Sequence, residues 1–192
     1  MQELPYYGTY HHTTPEQSEM IRVVLRENFF ELFQVIDHPE TIKCVLDAGC
    51  GLGYISELAA KFFTSASVTG VDLFGSGSLP EGSIELAEKN MKAAGVGDRV
   101  QFLKSDLTDL NFPNEHFNLV VSNLVFHNLG KRRFNAYSCM NKVLKSDGFF
   151  VIGDFFWKKN DKKYLGEHFT LLTEKTGISK MPDRYSIMLF RK

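Results

Sequence analysis

Polar and apolar positions along the chain alternate between two periods. From Pro15 to Ile36 the apolar residues Met20, Val23, Val24, Phe29, Phe30 and Phe33 recur at near-helical spacing. Thr13 or Thr14 is placed to cap this helix, with Pro15 at its first position and Glu16 and Glu19 near the positive end of its dipole. Asp37-His38-Pro39 breaks it. The run Lys43 to Ala48 is short, apolar and β-branched, and ends at Gly49, as a buried strand does. Helical spacing returns over Tyr54 to Phe63, Ser83 to Ala94, Lys131 to Leu144 and Tyr164 to Lys175. Between these lie strand-like runs at Val68 to Asp72, Val100 to Lys104, Phe117 to Ser122 and Phe149 to Gly153, with a last one at Arg184 to Phe190. Gly75 to Gly82 and Ser146-Asp147-Gly148 read as loop and turn. Strands alternating with helices imply an α/β fold, a parallel sheet with right-handed crossovers covered on both faces.

The 192 residues suffice for one domain, and no linker, repeat or low-complexity tract divides them. Residues 1–42 form an N-terminal lid and helix, and residues 43–192 the sheet core, on this reading. Twenty-two basic against 23 acidic residues leave a net charge of -1, which argues against binding nucleic acid by bulk charge. No run is long and apolar enough to span a bilayer, and the N-terminus lacks the pattern of a secretory signal. Cys44, Cys50 and Cys139 are odd in number and form no CxxC pair, which fits a reducing cytoplasm better than a disulfide framework or structural zinc.

The candidate chemistry sits at the strand ends. Asp47-Ala48-Gly49-Cys50-Gly51-Leu52-Gly53 joins the first strand to the helix at Tyr54, where glycine permits a sharp turn close to a ligand and the helix offers unpaired N–H groups. The dinucleotide fingerprint needs glycine at its sixth position, which here is Tyr54, so the spacing argues against NAD. Asp72 ends the second strand, where a carboxylate accepts ribose hydroxyls. Asp106 follows the third strand and Ser122-Asn123 the fourth. Each has a bland use as a cap or turn residue. All four, in consecutive βα units, fall on the one edge where open α/β sheets bind ligands.

The stretches VLDAGCGLGYISELA, VTGVDL, FLKSDLTDLNFPNEHFNLVVSNLVFHNL and VLKSDGFFVIGDF make the chain resemble a class I S-adenosylmethionine-dependent methyltransferase over roughly Lys43 to Phe155. The resemblance implies a Rossmann-like methyltransferase fold. Its sheet would be mixed and seven-stranded, parallel except for the final strand at Arg184 to Phe190, with Ile178 to Met181 as that strand's hairpin partner. It implies S-adenosyl-L-methionine as cofactor. Gly49, Gly51 and Gly53 would pass beneath its methionine and ribose parts, and Asp47 would orient the methionine amino end. Asp72, beside Leu73, would hold the ribose. Asp106 and the backbone of Leu107 would face the adenine, and Asn123 would line the methionyl end. The chain departs from the family in the long Gly/Ser stretch after Asp72 and in Asn118, where the family commonly has Asp.

After the fourth strand the chain reads Ser122-Asn123-Leu124-Val125-Phe126, without the Asn/Asp-Pro-Pro-aromatic motif typical of enzymes acting on base amines or glutamine amides. The pattern resembles the small-molecule branch of the family, where a His at the position of His127 is common. His127 is either a general base or a structural histidine. Lys131-Arg132-Arg133 and the lysines of Lys158 to Lys163 read as solvated helix ends. Tyr7, Tyr10 and His11 are candidate substrate-lining residues, and with Tyr6 the three tyrosines could cage a cationic or apolar substrate. A metal at His11-His12 is disfavoured, because adjacent side chains rarely converge. The expected acceptor is therefore a small molecule. The alternatives are an RNA or protein side chain as acceptor, or a non-catalytic nucleotide-binding module.

Overall fold

A computed structural model describes residues 4–75, 82–156 and 159–192. The first helix, α1 (Pro15–Gln34), begins at a capping box: Thr14 Oγ1 accepts from the Gln17 amide at 3.2 Å, and Gln17 Oε1 accepts from the Thr14 amide at 2.8 Å. Its buried stripe is Ser18, Arg22, Leu25, Phe29 and Leu32–Phe33, steps of three and four residues. Met20 and Val23, expected on the apolar face, are instead 48% and 44% exposed. The phenylalanines near the C-terminal end set the phase of the helix, and polar residues occupy its buried side near the N-terminus. Phe33 packs on Phe63 at a centroid distance of 5.1 Å, which ties α1 to the end of α2 (Tyr54–Phe62).

The strands are β1 (Cys44–Ala48), β2 (Ser67–Asp72), β3 (Val100–Lys104), β4 (Phe117–Asn123), β5 (Leu144–Phe155), β6 (Thr170–Lys175) and β7 (Tyr185–Arg191). They form one seven-stranded sheet in the order β3-β2-β1-β4-β5-β7-β6. Neighbours from β3 through β5 are parallel, and β7 runs antiparallel to both β5 and β6. The sheet is thus Rossmann-like and mixed, parallel except for β7, as expected. Helices α1, α2 and α3 (Ile84–Ala93) share one core with Val45, Val68, Leu119 and Val151; α4 (Arg133–Val143) and α5 (Lys159–His168) share the other with Leu46, Val71, Val120 and Ile152. Successive side chains of the central strands feed opposite cores, which is why those strands read as nearly unbroken apolar runs.

Three local expectations are corrected. The helix expected over Tyr164 to Lys175 ends at His168, and Thr170–Lys175 is the edge strand β6. The short apolar run Phe169 to Leu172 does not by itself distinguish helix from strand, and pairing with β7 decides it. Ile178 to Met181 is a turn closed by a 3.0 Å bond from the Met181 amide to the Ile178 carbonyl, so the hairpin partner of β7 is β6. Ser146 to Gly148 lies inside β5 as an irregularity with Asp147 at φ 63°, where the register on β4 shifts. Most of the Gly75 to Gly82 loop lies outside the described residues.

Order reverses at β1, which has β2 on one side and β4 on the other. Ligands of open α/β sheets bind beyond the strand ends at such a switch point.

Candidate active site

Asp47 is 1% exposed on β1. Its Oδ2 accepts from Ser56 Oγ at 2.6 Å, while Oδ1 is buried without a partner among the described residues. Burial pushes its carboxyl up to about 7; the nearby Asp72 adds to the rise and Ser56 opposes it. The turn above it is tied to β2, since the Gly49 and Cys50 amides both donate to the Val71 carbonyl, at 2.8 and 3.1 Å. Gly49 has φ +78°, and a Cβ there would meet both methyls of Val125, with Cγ1 at 2.6 Å. Gly53, the residue before α2, has φ +89°, and its absent Cβ faces Met91 and Phe102 at 2.9 Å. Packing therefore accounts for Gly53, and close approach of the segment after β4 accounts for Gly49. Of the three glycines, Gly51 presents its amide to the acid at the end of β2: Gly51 N donates to Asp72 Oδ2 at 3.0 Å.

Asp72 Oδ1 accepts from the Phe74 amide at 2.9 Å, so each carboxylate oxygen carries one backbone donor and keeps a lone pair. Leu73 beside it is 49% exposed. Asp106 Oδ1 accepts from the Thr108 amide at 2.9 Å and its hydroxyl at 2.8 Å, and Oδ2 pairs with Arg132. These partners, the Thr108 amide foremost, hold its carboxyl below the usual range. Leu107 turns inward and is 6% exposed.

At the end of β4, Asn123 Oδ1 accepts from Tyr185 Oη at 2.6 Å, leaving its amide nitrogen as donor. Gly153 pairs with Asn123 across the strands, and a Cβ on it would strike Asn123 Oδ1 at 2.7 Å and the Tyr185 hydroxyl. Next to Gly153 is Asp154, 1% exposed. Its Oδ1 lies 2.5 Å from His127 Nδ1 and accepts from the Phe155 amide at 2.7 Å; its Oδ2 accepts from the His127 amide at 3.2 Å. The Phe155 ring stands edge-on to the imidazole at 5.0 Å. Asp154 and Tyr185 were not among the residues expected from sequence. Asp154 obeys the same rule as Asp72 and Asp106, an acid at a strand's carboxyl end, and was legible by it. Tyr185 begins a strand that reads as core and carries no such signal.

The N-terminal segment lies over the glycine turn. The Tyr6 amide donates to Asn90 Oδ1 at 2.8 Å, and Asn90 Nδ2 donates to the carbonyls of Tyr6 and Leu52, at 2.7 and 3.0 Å. Tyr7 bonds through its hydroxyl to Glu57 and packs edge-on against Tyr54. The tyrosine cage is real, but its members are Tyr7, Tyr10 and Tyr54, and the cation inside is the chain's own Arg22, 5.1 to 6.0 Å from the ring centroids. Arg22 is 3% exposed and also bonds to the carbonyls of Tyr7 and Gly8. A cationic substrate caged by these rings is thereby excluded. Desolvation raises Tyr10 to about 12 against the pull of Arg22. Burial, and after it Tyr10 and Asp154, hold the Tyr185 phenol well above its usual range. His11 is exposed.

Two cavities lie elsewhere. One of about 300 Å³ opens near Ile42, Asn118 and Gly148, and one of about 470 Å³ lies between α1 and the turn after β6. The candidate site is marked by converging polar groups. No group of three or more His, Cys, Asp or Glu able to hold a metal occurs among the described residues.

Residues 45–148 match the family described as a methyltransferase domain. The chain is 34% identical over 111 residues to the U6 snRNA (guanine-N(2))-methyltransferase THUMPD2 of Mus musculus, covering 56% of this chain and 20% of that protein. It is 35% identical over 82 residues to the malonyl-[acyl-carrier protein] O-methyltransferase of Priestia megaterium, covering 43% of this chain and 26% of that protein. The chain thus spans a fifth to a quarter of the length of these relatives. The N-methyltransferase NodS from Bradyrhizobium japonicum shares the fold, with a TM-score of 0.68, 17% identity, and coverage of 88% of this chain and 97% of that one.

Proposed function

This chain belongs to the methyltransferase-domain family of class I S-adenosylmethionine-dependent enzymes, and from that premise we propose that it transfers a methyl group from S-adenosyl-L-methionine to a small-molecule acceptor. The observation that carries the reading is Asp47: a buried carboxylate with one orphaned oxygen, under a turn whose Gly51 amide is locked to Asp72. A buried acid without a partner is costly unless a cation completes it. The cofactor's amino group is such a cation, and the free lone pairs of Asp72 suit two ribose hydroxyls.

Bound there, the cofactor supplies an activated methyl group on a sulfonium. The protein's part is to hold and align. Asp47 would hold the amino end, Asn123 Nδ2 the methionyl end, and Asp72 the ribose, with exposed Leu73 beside it. Asp106 and the Leu107 amide take the adenine, which requires the Arg132 side chain to share Asp106 or move off it. Tyr10, His11 and His127 would border the acceptor, and Tyr7 would act through its hold on Tyr54. Residues 1–42 serve as lid and helix, and residues 43–192 as the sheet core.

A small molecule is favoured over nucleic acid because basic residues of both clusters are held in ion pairs, Arg133 with Asp161 and Lys162 with Glu174. Cys44, Cys50 and Cys139 are free thiols, which suits a reducing cytoplasm. No helix among the described residues is long and apolar enough to cross a membrane. Calorimetry with S-adenosylmethionine and S-adenosylhomocysteine tests the reading. Micromolar binding that Asp47→Asn and Asp72→Ala each weaken is expected, and absence of binding by the wild type rejects it.

A further inference from the structure

We infer that His127 is the general base of the transfer, that Asp154 is its positioning residue, and that the acceptor is a neutral hydroxyl. The inference rests on the methyltransferase reading above and deepens it.

Three donors converge on Asp154: the amides of His127 and Phe155 and the imidazole Nδ1. A carboxylate so placed only accepts, so Nδ1 carries a proton, and in the neutral imidazole the lone pair is on Nε2. No described residue bonds to Nε2, and the His127 side chain is 20% exposed while that of Asp154 is 2% exposed. The bonding fixes both the tautomer and the ring plane, with the backbone of residue 127 clamped to the same carboxylate. The pair also stands where the chemistry would occur. Val125, two residues before His127, packs against Gly49 of the glycine turn, and Gly153, one before Asp154, pairs with Asn123.

A thiolate, a carboxylate or a neutral amine attacks a sulfonium methyl through a lone pair without first losing a proton and has no use for such a base. A hydroxyl does. As its oxygen bonds to the methyl carbon, the C–S bonding pair stays on sulfur, which becomes a neutral thioether. The hydroxyl proton passes to His127 Nε2, and the resulting imidazolium is held against Asp154 until it returns the proton to water. A positioned base contributes about 10²- to 10⁴-fold in rate.

The test has two arms. In cofactor-free protein, ¹⁵N NMR at neutral pH is expected to show His127 as the Nδ1–H tautomer, and Asp154→Asn is expected to disturb that assignment. With labelled S-adenosylmethionine, the wild type is offered catechol, benzyl alcohol, 2-mercaptoethanol and octanoate. Transfer to a hydroxyl probe is expected. His127→Gln should lower kcat at least 100-fold, with affinity for S-adenosylhomocysteine within threefold. Asp154→Asn should lower kcat at least tenfold, with KM for the probe within threefold. If Asp154→Asn fails to fold, His127→Gln and the wild-type NMR decide. A proton on Nε2, transfer only to the thiol or carboxylate, transfer to no probe, or His127→Gln with kcat within threefold of wild type overturns the inference. If the wild type binds S-adenosylhomocysteine in those cases, only this inference fails. If it does not bind, the methyltransferase reading fails and the inference with it.

Discussion

Gly51 gives its backbone N–H to the Asp72 carboxylate at 3.0 Å, so the acid that ends β2 also holds the turn that follows β1. Asp72 is thus both a candidate ligand for the ribose and a brace for the loop beneath it. The two roles share one carboxylate without conflict, because each oxygen spends one lone pair on a backbone amide and keeps another.

Asp72→Ala is accordingly expected to act twice. Losing hydrogen bonds to a charged group weakens S-adenosylhomocysteine binding by about 1.5–3 kcal/mol, or roughly 10- to 150-fold in Kd. Freeing the Gly51 and Phe74 amides also lowers stability by about 1 kcal/mol or more. Calorimetry and urea denaturation of the same variant separate these effects. Affinity within twofold of wild type would remove Asp72 from the ribose site.

Asp47 should make both stability and binding depend on pH. Its carboxyl sits near 7 in the folded chain, against about 3.9 unfolded. Between these values the folded chain holds a proton that the unfolded chain has released. Stability therefore falls as pH rises through the window, by at most about 1.4 kcal/mol per pH unit, and levels off above it. Asp47→Asn should abolish that slope, as urea midpoints at pH 5 and pH 8 would show. A cationic amino group on Asp47 favours the ionised form, so S-adenosylhomocysteine should bind more tightly as pH rises from 5.5 to 7.5, and this trend should vanish in Asp47→Asn. A binding curve flat with pH in the wild type would separate Asp47 from the ligand.

Gly49→Ala tests how tightly the turn is packed. The φ of +78° costs about 1–2 kcal/mol with a side chain, and the methyl would overlap Val125, adding about 1–3 kcal/mol by overpacking. Val125→Ala introduced into Gly49→Ala should recover the second cost and not the first. If the double variant is no more stable than Gly49→Ala, the clash with Val125 is not what excludes alanine.

The sheet was legible because each central strand feeds two cores and so reads as an unbroken apolar run between glycines and acids. The strand ends were legible because polar residues stop those runs at the edge where ligands bind. The same logic extends to Asp154, which follows the run Phe149 to Gly153 as Asp72 follows Val68 to Val71. What a linear pattern cannot carry is phase and partnership. Met20 and Val23 read as core, yet Arg22 takes the buried position between them because Tyr7 and Tyr10 from one segment and Tyr54 from a distant one surround it. Thr170 to Lys175 became a strand because β7 offered it an edge. Asn123 and Tyr185, 62 residues apart, share a hydrogen bond that only the sheet order creates.

The last expectation concerns residues 1–12, which sequence alone presents as a lid needed for methyl transfer but not for folding. Their contacts argue for more. Tyr6 exchanges backbone bonds with Asn90, which also holds the Leu52 carbonyl of the glycine turn, and Tyr7 joins Glu57 on α2. Arg22 would lose two of its three rings and the carbonyls of Tyr7 and Gly8, keeping only its ion pair with Glu19 and the Tyr54 ring. Losing hydrogen bonds to a charged group costs about 1.5–3 kcal/mol. Deleting residues 1–12 should therefore lower stability by an amount of that order as well as methyl transfer, and S-adenosylhomocysteine affinity should fall with it because the turn loses its outer support. Arg22→Met separates the causes. It removes the cation but keeps the segment, so it should lose less stability than the deletion, while proteolysis within residues 4–12 becomes faster. A truncated chain with the stability and turnover of the full one would reduce the segment to a frayed terminus, and the bonds to Asn90 and Glu57 would then contribute nothing measurable.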